Sequence, residues 1–185
     1  MMRCTVLAAI LALVSAPIFA TTYTLEPRHT EGVIRWSHLG FSNPTAQFSL
    51  VEGTLEFDQA DPTKSSVVAT IKLANMSSGV PDLDDDFRSV DFFDTAKFPK
   101  MTFKSTAVSK SDKGLKLEGD LTMHGVTKPV TLDVTGIDKV KPGETKRKLN
   151  ASTTLNRKDF GVGMGMADSM ISDKVKVTLH LELKQ

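Results

Sequence analysis

The sequence predicts an all-β fold, an antiparallel barrel or sandwich of about eight strands. Three observations carry this. Apolar residues recur at every second position through most of the chain, the period of a half-buried strand. Turn-forming residues separate these runs at roughly regular spacing, as in consecutive antiparallel strands. Helical spacing is confined to one segment, "VPDLDDDFRSVDFFDTAKFPKMTF" at 80–103.

In chain order, Met1–Ala20 comes first and reads as a secretory signal. Arg3 is its basic n-region, Val6–Val14 its apolar h-region, and Ala20 the expected cleavage point. The apolar stretch is too short for a membrane-spanning helix. Cys4 stands at the front of this segment and not at its end, where a lipidated cysteine would be. It is the chain's one cysteine, so the fold at 21–185 is expected to rely on its core and not on disulfides.

The first strand places Gly32, Ile34, Trp36 and His38 on one face. The second begins at Phe48 and continues through Gly53, Leu55 and Phe57 with shifted parity, which predicts a bulge or bend near Leu50–Val51. Val67, Ala69, Ile71 and Leu73 form the third. Pro81 then opens a short helix whose carboxylates Asp82, Asp84, Asp85 and Asp86 suit the positive end of the helix dipole. Leu83, Phe87 and Val90 fall at helical spacing, Phe92 and Phe93 fold inward, and Pro99 ends the excursion. The fourth strand carries Met101 and Phe103.

Alternation is cleaner in the second half. Leu115, Leu117, Gly119, Leu121 and Met123 share a face; Val130, Leu132 and Val134 share the next, with His124–Pro129 as the connection. Leu149, Ala151, Thr153 and Leu155 form a weaker strand, and Val175 to Leu183 a strict one. A one-residue slip would turn that last apolar set outward, so its register is firmly specified. Closure into a barrel would remove exposed sheet edges. Its interior is then either filled by side chains or holds one small ligand, and periodicity does not separate the two.

Composition excludes several functions. Apart from Arg3, basic and acidic residues are equal at 22 each, with no basic block for nucleic acid. The acidic run lacks the EF-hand pattern, since Phe87 stands where the turn glycine belongs and Phe93 where the bidentate glutamate belongs. The four histidines show no zinc spacing, and no cofactor motif is present. His180 lies on a polar face and His124 in a turn. His38, on the face of Ile34 and Trp36, reads as a hydrogen-bonded structural residue, a polar contact to a ligand head group, or a catalytic base. Met164, Met166 and Met170 form either ordinary loop packing or a pliable wall of an apolar pocket.

Four stretches then carry a resemblance: "HTEGVIRWSHLGF" (29–41), "FRSVDFFDTAKFPKMTFKST" (87–106), "GDLTMHGVTKPVTLDV" (119–134) and "NRKDFGVG" (156–163). In order and spacing they resemble the YceI-like family of bacterial periplasmic proteins, named for binding polyisoprenoids. The resemblance implies an eight-stranded antiparallel barrel of lipocalin-like shape, with a short helical insertion near one mouth and a long isoprenoid chain in an apolar tunnel. His29, His38, Arg88, Phe92, Phe93, Phe103, Arg157, Asp159, Phe160 and Gly161 match its motifs. Gly32 and Ile34 replace bulkier residues usual on that face, which would widen or reshape the tunnel.

The expected function is therefore non-catalytic: periplasmic carriage, storage or sequestration of an isoprenoid lipid or isoprenoid quinone. The expected lining comes from the inward faces. Ile34 and Trp36 belong to the first strand, Phe48 and Phe57 to the second, and Ile71 to the third. Phe87 and Phe92 belong to the helical segment, Phe103, Leu121 and Met123 to the central hairpin, and Phe160 and Met164 to the late turn. His38 supplies a polar contact. Alternatives are a barrel filled by its own side chains, acting in stress or as an interaction module, and an enzyme with His38 as base. No nucleic-acid partner is expected; transient membrane contact and a homodimer both stay open.

Overall fold

Each alternating run folds as a strand, and the hydrogen-bonded ladder closes on itself. The computed structural model describes residues 20–136 and 145–185; the expected signal segment lies outside them except for Ala20. The strands are β1 (Thr21–Leu25), β2 (Glu31–Arg35), β3 (Thr45–Ser49), β4 (Glu52–Phe57), β5 (Ser66–Lys72) and β6 (Met76–Ser77). After helix α1 (Pro81–Arg88) come β7 (Lys100–Ser111), β8 (Gly114–Met123), β9 (Val126–Thr135), β10 (Lys146–Asn156) and β11 (Lys174–Lys184).

These form a closed eight-stranded antiparallel barrel because the first six are three broken strands. β1 and β2 both run along β11. β4 pairs with β1 and β3 with β2. β5 pairs with β4 and β6 with β3. From β5 onward each strand pairs with the next, through β7, β8, β9 and β10 to β11. The result is an up-and-down ring.

Each break has a local cause. Between β1 and β2, Pro27 opens a one-turn 3₁₀ segment, Pro27–His29, where its missing N–H leaves no ladder gap. Between β3 and β4, Leu50 takes φ 56°, which turns it outward and brings Val51 in behind Phe48. This is the parity shift expected at Leu50–Val51. Between β5 and β6, Leu73–Asn75 makes another 3₁₀ turn that buries Leu73 completely. β1 itself is not among the strands expected from alternation; it contributes the buried Tyr23 and Leu25.

The ring flares where β6 ends without reaching β7, and α1 with the segment after it fills that flare. Pro81 occupies the first helical turn, and Phe87 meets Trp36 edge-on with ring centroids 5.4 Å apart. Phe92 packs on Phe87 at 5.6 Å, and Phe93 reaches Phe48 at 6.4 Å. The Asp84 carboxylate ties the helix to β6 by accepting from Ser77 Oγ (2.9 Å), Ser78 Oγ (2.6 Å) and Ser78 N–H (2.5 Å). The helix stops at Arg88, so Val90 does not continue its apolar face and is 73% exposed.

A further correction concerns β9. The connection from β8 is only His124–Gly125, both at positive φ, and Val126 already pairs with Met123. Lys128 and Pro129 therefore belong to the strand. β9 pairs with β10 over Asp133–Thr135 alone, so its earlier part has a strand on one side only. Pro129 sits in that part, the setting in which a residue without N–H is tolerated.

Candidate functional site

The barrel is not filled by its own side chains. A cavity of about 730 Å³ lies inside it, with walls almost entirely of carbon. It touches all three core clusters. One gathers Trp36, Phe48, Phe87 and Met123 at the helix end. A second has Leu25, Val51, Phe57 and Leu183, and a third Leu115, Leu132, Val134 and Ala151. The cavity is therefore an elongated interior space and not a dimple at one mouth. It falls within the ordinary size range of small-molecule sites.

The polar groups on this wall are sparse. His38, Ser42, Asp86 and Arg157 lie at the helix end, Thr153 on β10, and Ser65 and Ser66 at the end of β5 away from the helix. Ser42, Asp86 and Met170 are exposed as well as cavity-lining, so the cavity opens to solvent beside α1. The backbone of His38 is fixed by bridges to Ser42 and Ile171, while its ring has no hydrogen-bond partner among the described residues. The other histidines are engaged elsewhere. His29 pairs with Glu182 at 3.4 Å, His124 Nδ1 lies 3.1 Å from the Phe160 carbonyl, and His180 lies 2.9 Å from Asn150 Oδ1.

Most residues expected on the wall are there: Ile34, Trp36 and His38; Phe48, Phe57 and Ile71; Phe87 and Phe92; Phe103, Leu121 and Met123. Phe160 and Met164 are not. Phe160 is 2% exposed but packs within the wall. Met164 points to solvent at 59% exposure, and Met166 and Met170 line the cavity in its place. The reason is local. Gly161 and Gly163 both take positive φ and turn the chain, so strand parity does not carry through this loop.

The cavity also reaches deeper than the expected set, to Leu25, Leu149, Leu179 and Leu181. Gly32 does not enlarge it. A Cβ there would lie 3.0 Å from Leu179 Cδ2, so the neighbouring leucine has taken the space. Gly119 serves a different purpose: a Cβ would fall 2.4 Å from the Phe103 ring, which lies over the glycine.

Among the described residues, Arg157 is the one buried charge on the cavity wall. Its Nη1 donates to the carbonyls of Val162 (3.0 Å) and Gly163 (2.5 Å). Nη2 donates to Ile171 (3.3 Å), Nε donates to Ser172 (3.3 Å), and Asp173 is the ion-pair partner at 3.1 Å. One guanidinium thus pins both ends of the methionine loop. The signal was present: Arg157 continues the inward parity of Leu149, Ala151, Thr153 and Leu155, where a charge needs dedicated partners. Outside it, Lys158 binds Asp168, then Asp173; these contacts raise the lysine's pKa and lower that of Asp168. Among the described residues, no cluster of three or more His, Cys, Asp or Glu side chains could hold a metal ion.

Comparison with known proteins agrees with this geometry. The family model described as YceI-like domain matches residues 23–183. The UPF0312 protein of Pseudomonas fluorescens is 40% identical over 157 residues, 82% of each chain, and that of Pseudomonas putida is 39% identical over the same span. Among solved structures, Burkholderia cenocepacia BcnA superposes with a TM-score of 0.77 at 23% identity, covering 85% of this chain and 98% of that one. A Campylobacter jejuni YCEI protein gives 0.71 at 28% identity, covering 80% and 89%. A polyisoprenoid binding domain from Saccharophagus degradans gives 0.65 at 17% identity, covering 90% and 98%.

Proposed function

The chain belongs to the YceI-like family, and from that premise we propose that it is a non-catalytic carrier holding one isoprenoid chain, of a lipid or a quinone, in the barrel cavity. The observation that supports this most directly is the shape and chemistry of the cavity. An apolar interior of about 730 Å³ ends at a mouth where His38, Ser42 and Asp86 supply the polar contacts. At ~30 Å³ for each methylene-sized group, the space takes on the order of two dozen such groups, roughly five isoprene units. The tail would occupy the carbon-lined length and the head group the mouth, with the unpartnered His38 ring as donor or acceptor to a quinone or hydroxyl oxygen.

Each buried CH₂ is worth about 0.8 kcal/mol against water, so one isoprene unit contributes about 4 kcal/mol. Against a bilayer that advantage disappears, because lipid tails are equally apolar. Net retention then rests on the fit of the tail and on the polar mouth. We propose further that the chain works in the periplasm, exported by the signal segment Met1–Ala20. Cell fractionation and N-terminal sequencing of the mature chain check this.

The carrier reading is tested by gentle purification, extraction into organic solvent and mass spectrometry. An isoprenoid lipid or quinone in the extract is the expected result. Repeated absence, together with no uptake of added isoprenoids, would overturn it. Turnover of an isoprenoid that vanished in His38→Ala with the barrel intact would overturn the non-catalytic part.

A further inference from the structure

The cavity mouth carries an apolar rim that the carrier reading does not itself require. Phe41 is 93% exposed, Val90 73%, Leu39 and Met164 59% each, and Met170 43%. They come from three separate loops, yet hydrogen bonds hold those loops together. The Leu39 N–H donates to the Met170 carbonyl at 2.9 Å, which joins the β2–β3 tip to the methionine loop. The Gly163 N–H donates to the Asp91 carbonyl at 2.9 Å, which brings Met164 beside Val90. Leu39 and Gly40 both take positive φ, the geometry of a tight turn that projects its tip. Met170 also lines the cavity, so the rim is continuous with the interior.

We propose that this rim docks the mouth onto a lipid bilayer, with Phe41 and Leu39 entering the interface. The proposal rests on the carrier reading for its purpose: a tail that leaves through a mouth seated on lipid avoids exposure to water. Shape, and not area, separates a bilayer from a second copy of the chain. With ~200 Å² for a large apolar side chain, the five exposures amount to on the order of 600 Å². That is a large patch for a monomer and comparable to the apolar share of a standard stable interface. The surface is also a set of protruding tips, suited to a fluid partner. Charge narrows the class of lipid. Lys158 is occupied by Asp168 and Asp173, Arg88 by Asp85, and Asp86 and Asp91 border the mouth. Arg35 and Lys176 face each other across β2 and β11 on the outer wall next to the rim, while the protruding tips themselves are apolar, so the main attraction is apolar.

The test is flotation of the ligand-free mature protein with phosphatidylcholine vesicles at low and high salt. Binding that persists in high salt is expected. Phe41→Asp with Leu39→Asp should weaken it by roughly tenfold or more, from the lost burial of two large side chains. Uptake of an isoprenoid quinone delivered in detergent, read by Trp36 quenching, should be unchanged, since neither residue lines the cavity. The proposal fails if wild type does not float, if it floats only with anionic vesicles at low salt, or if the double variant floats equally well. It also fails if the double variant turns a sedimenting dimer into a monomer while vesicle binding stays the same. Absent flotation with intact uptake removes the docking surface and leaves the carrier; absent uptake with intact, rim-dependent flotation does the reverse.

Discussion

Replacing Ala151 by leucine should weaken binding of long isoprenoids selectively. Ala151 is 2% exposed, sits among Leu115, Leu132 and Val134, and lines the deep part of the cavity. Leucine adds three carbons, each about the ~30 Å³ that one water fills in the liquid, so roughly an eighth of the 730 Å³ is lost. A tail that fills the cavity gives up about three buried CH₂ groups, ~2.4 kcal/mol at ~0.8 each. At about 1.4 kcal/mol per tenfold, this is roughly a fifty-fold weaker Kd. A tail too short to reach Ala151 should bind as before. Trp36 is the chain's single tryptophan and stands on the cavity wall, so quenching by quinones of increasing tail length reads out both cases. The leucine enters empty apolar space, and Tm should hold or rise. Equal loss for short and long tails, or no loss for any, would refute an elongated tail site.

Phe103→Asp puts a carboxylate on the cavity wall and should abolish quinone uptake; circular dichroism must show the strands intact for the result to count. Arg157→Met removes the guanidinium from four carbonyls and from Asp173, which keeps only Lys158, and should cost about 3 kcal/mol or more. At roughly 2–4 °C per kcal/mol, Tm falls by about 6–12 °C, and limited proteolysis should cut first within 161–172. Asp84 gives a pH test. The hydroxyl and N–H of Ser78, then Ser77, hold its carboxyl below the usual range. Its contribution is present above the unfolded value near 4 and is lost as pH falls through the lower folded value. Urea midpoints of wild type and Asp84→Asn should therefore differ most at neutral pH and converge in acid; a constant gap would contradict this.

Much of the barrel was legible because a pleated strand shows its two faces in the sequence. β8 and β11 read residue by residue, and the break at Leu50 was visible as a slip in parity. Alternation and turn spacing give about eight strands but not the partner of each, and the choice of a closed barrel over a sandwich came from the family resemblance. Alternation also fails wherever the backbone leaves the extended region. In sequence Phe160 and Met164 read as lining because an inward aromatic and a methionine look alike in a strand or a glycine turn; Gly161 and Gly163 turn the chain and place them off the wall. The rim was hidden for the same reason. Phe41 belongs to a stretch rich in core residues, and only the turn at Leu39–Gly40 directs it outward.

Ring closure has a consequence for how the chain acquires its shape. β11 pairs with β10 on one flank and with β1 and β2 on the other. Before β11 is available, the remaining strands form an open sheet with two raw edges and an inner face of leucine, valine and phenylalanine turned to water. The pairs Thr24–Lys184 and Leu25–Leu183 join opposite ends of the barrel sequence, so the final step carries a high loop-closure cost and is slow relative to the hairpins. Until that step, apolar strand faces stay open to water. A tail already lying along the inner face would favour closure around it, so that filling and folding coincide.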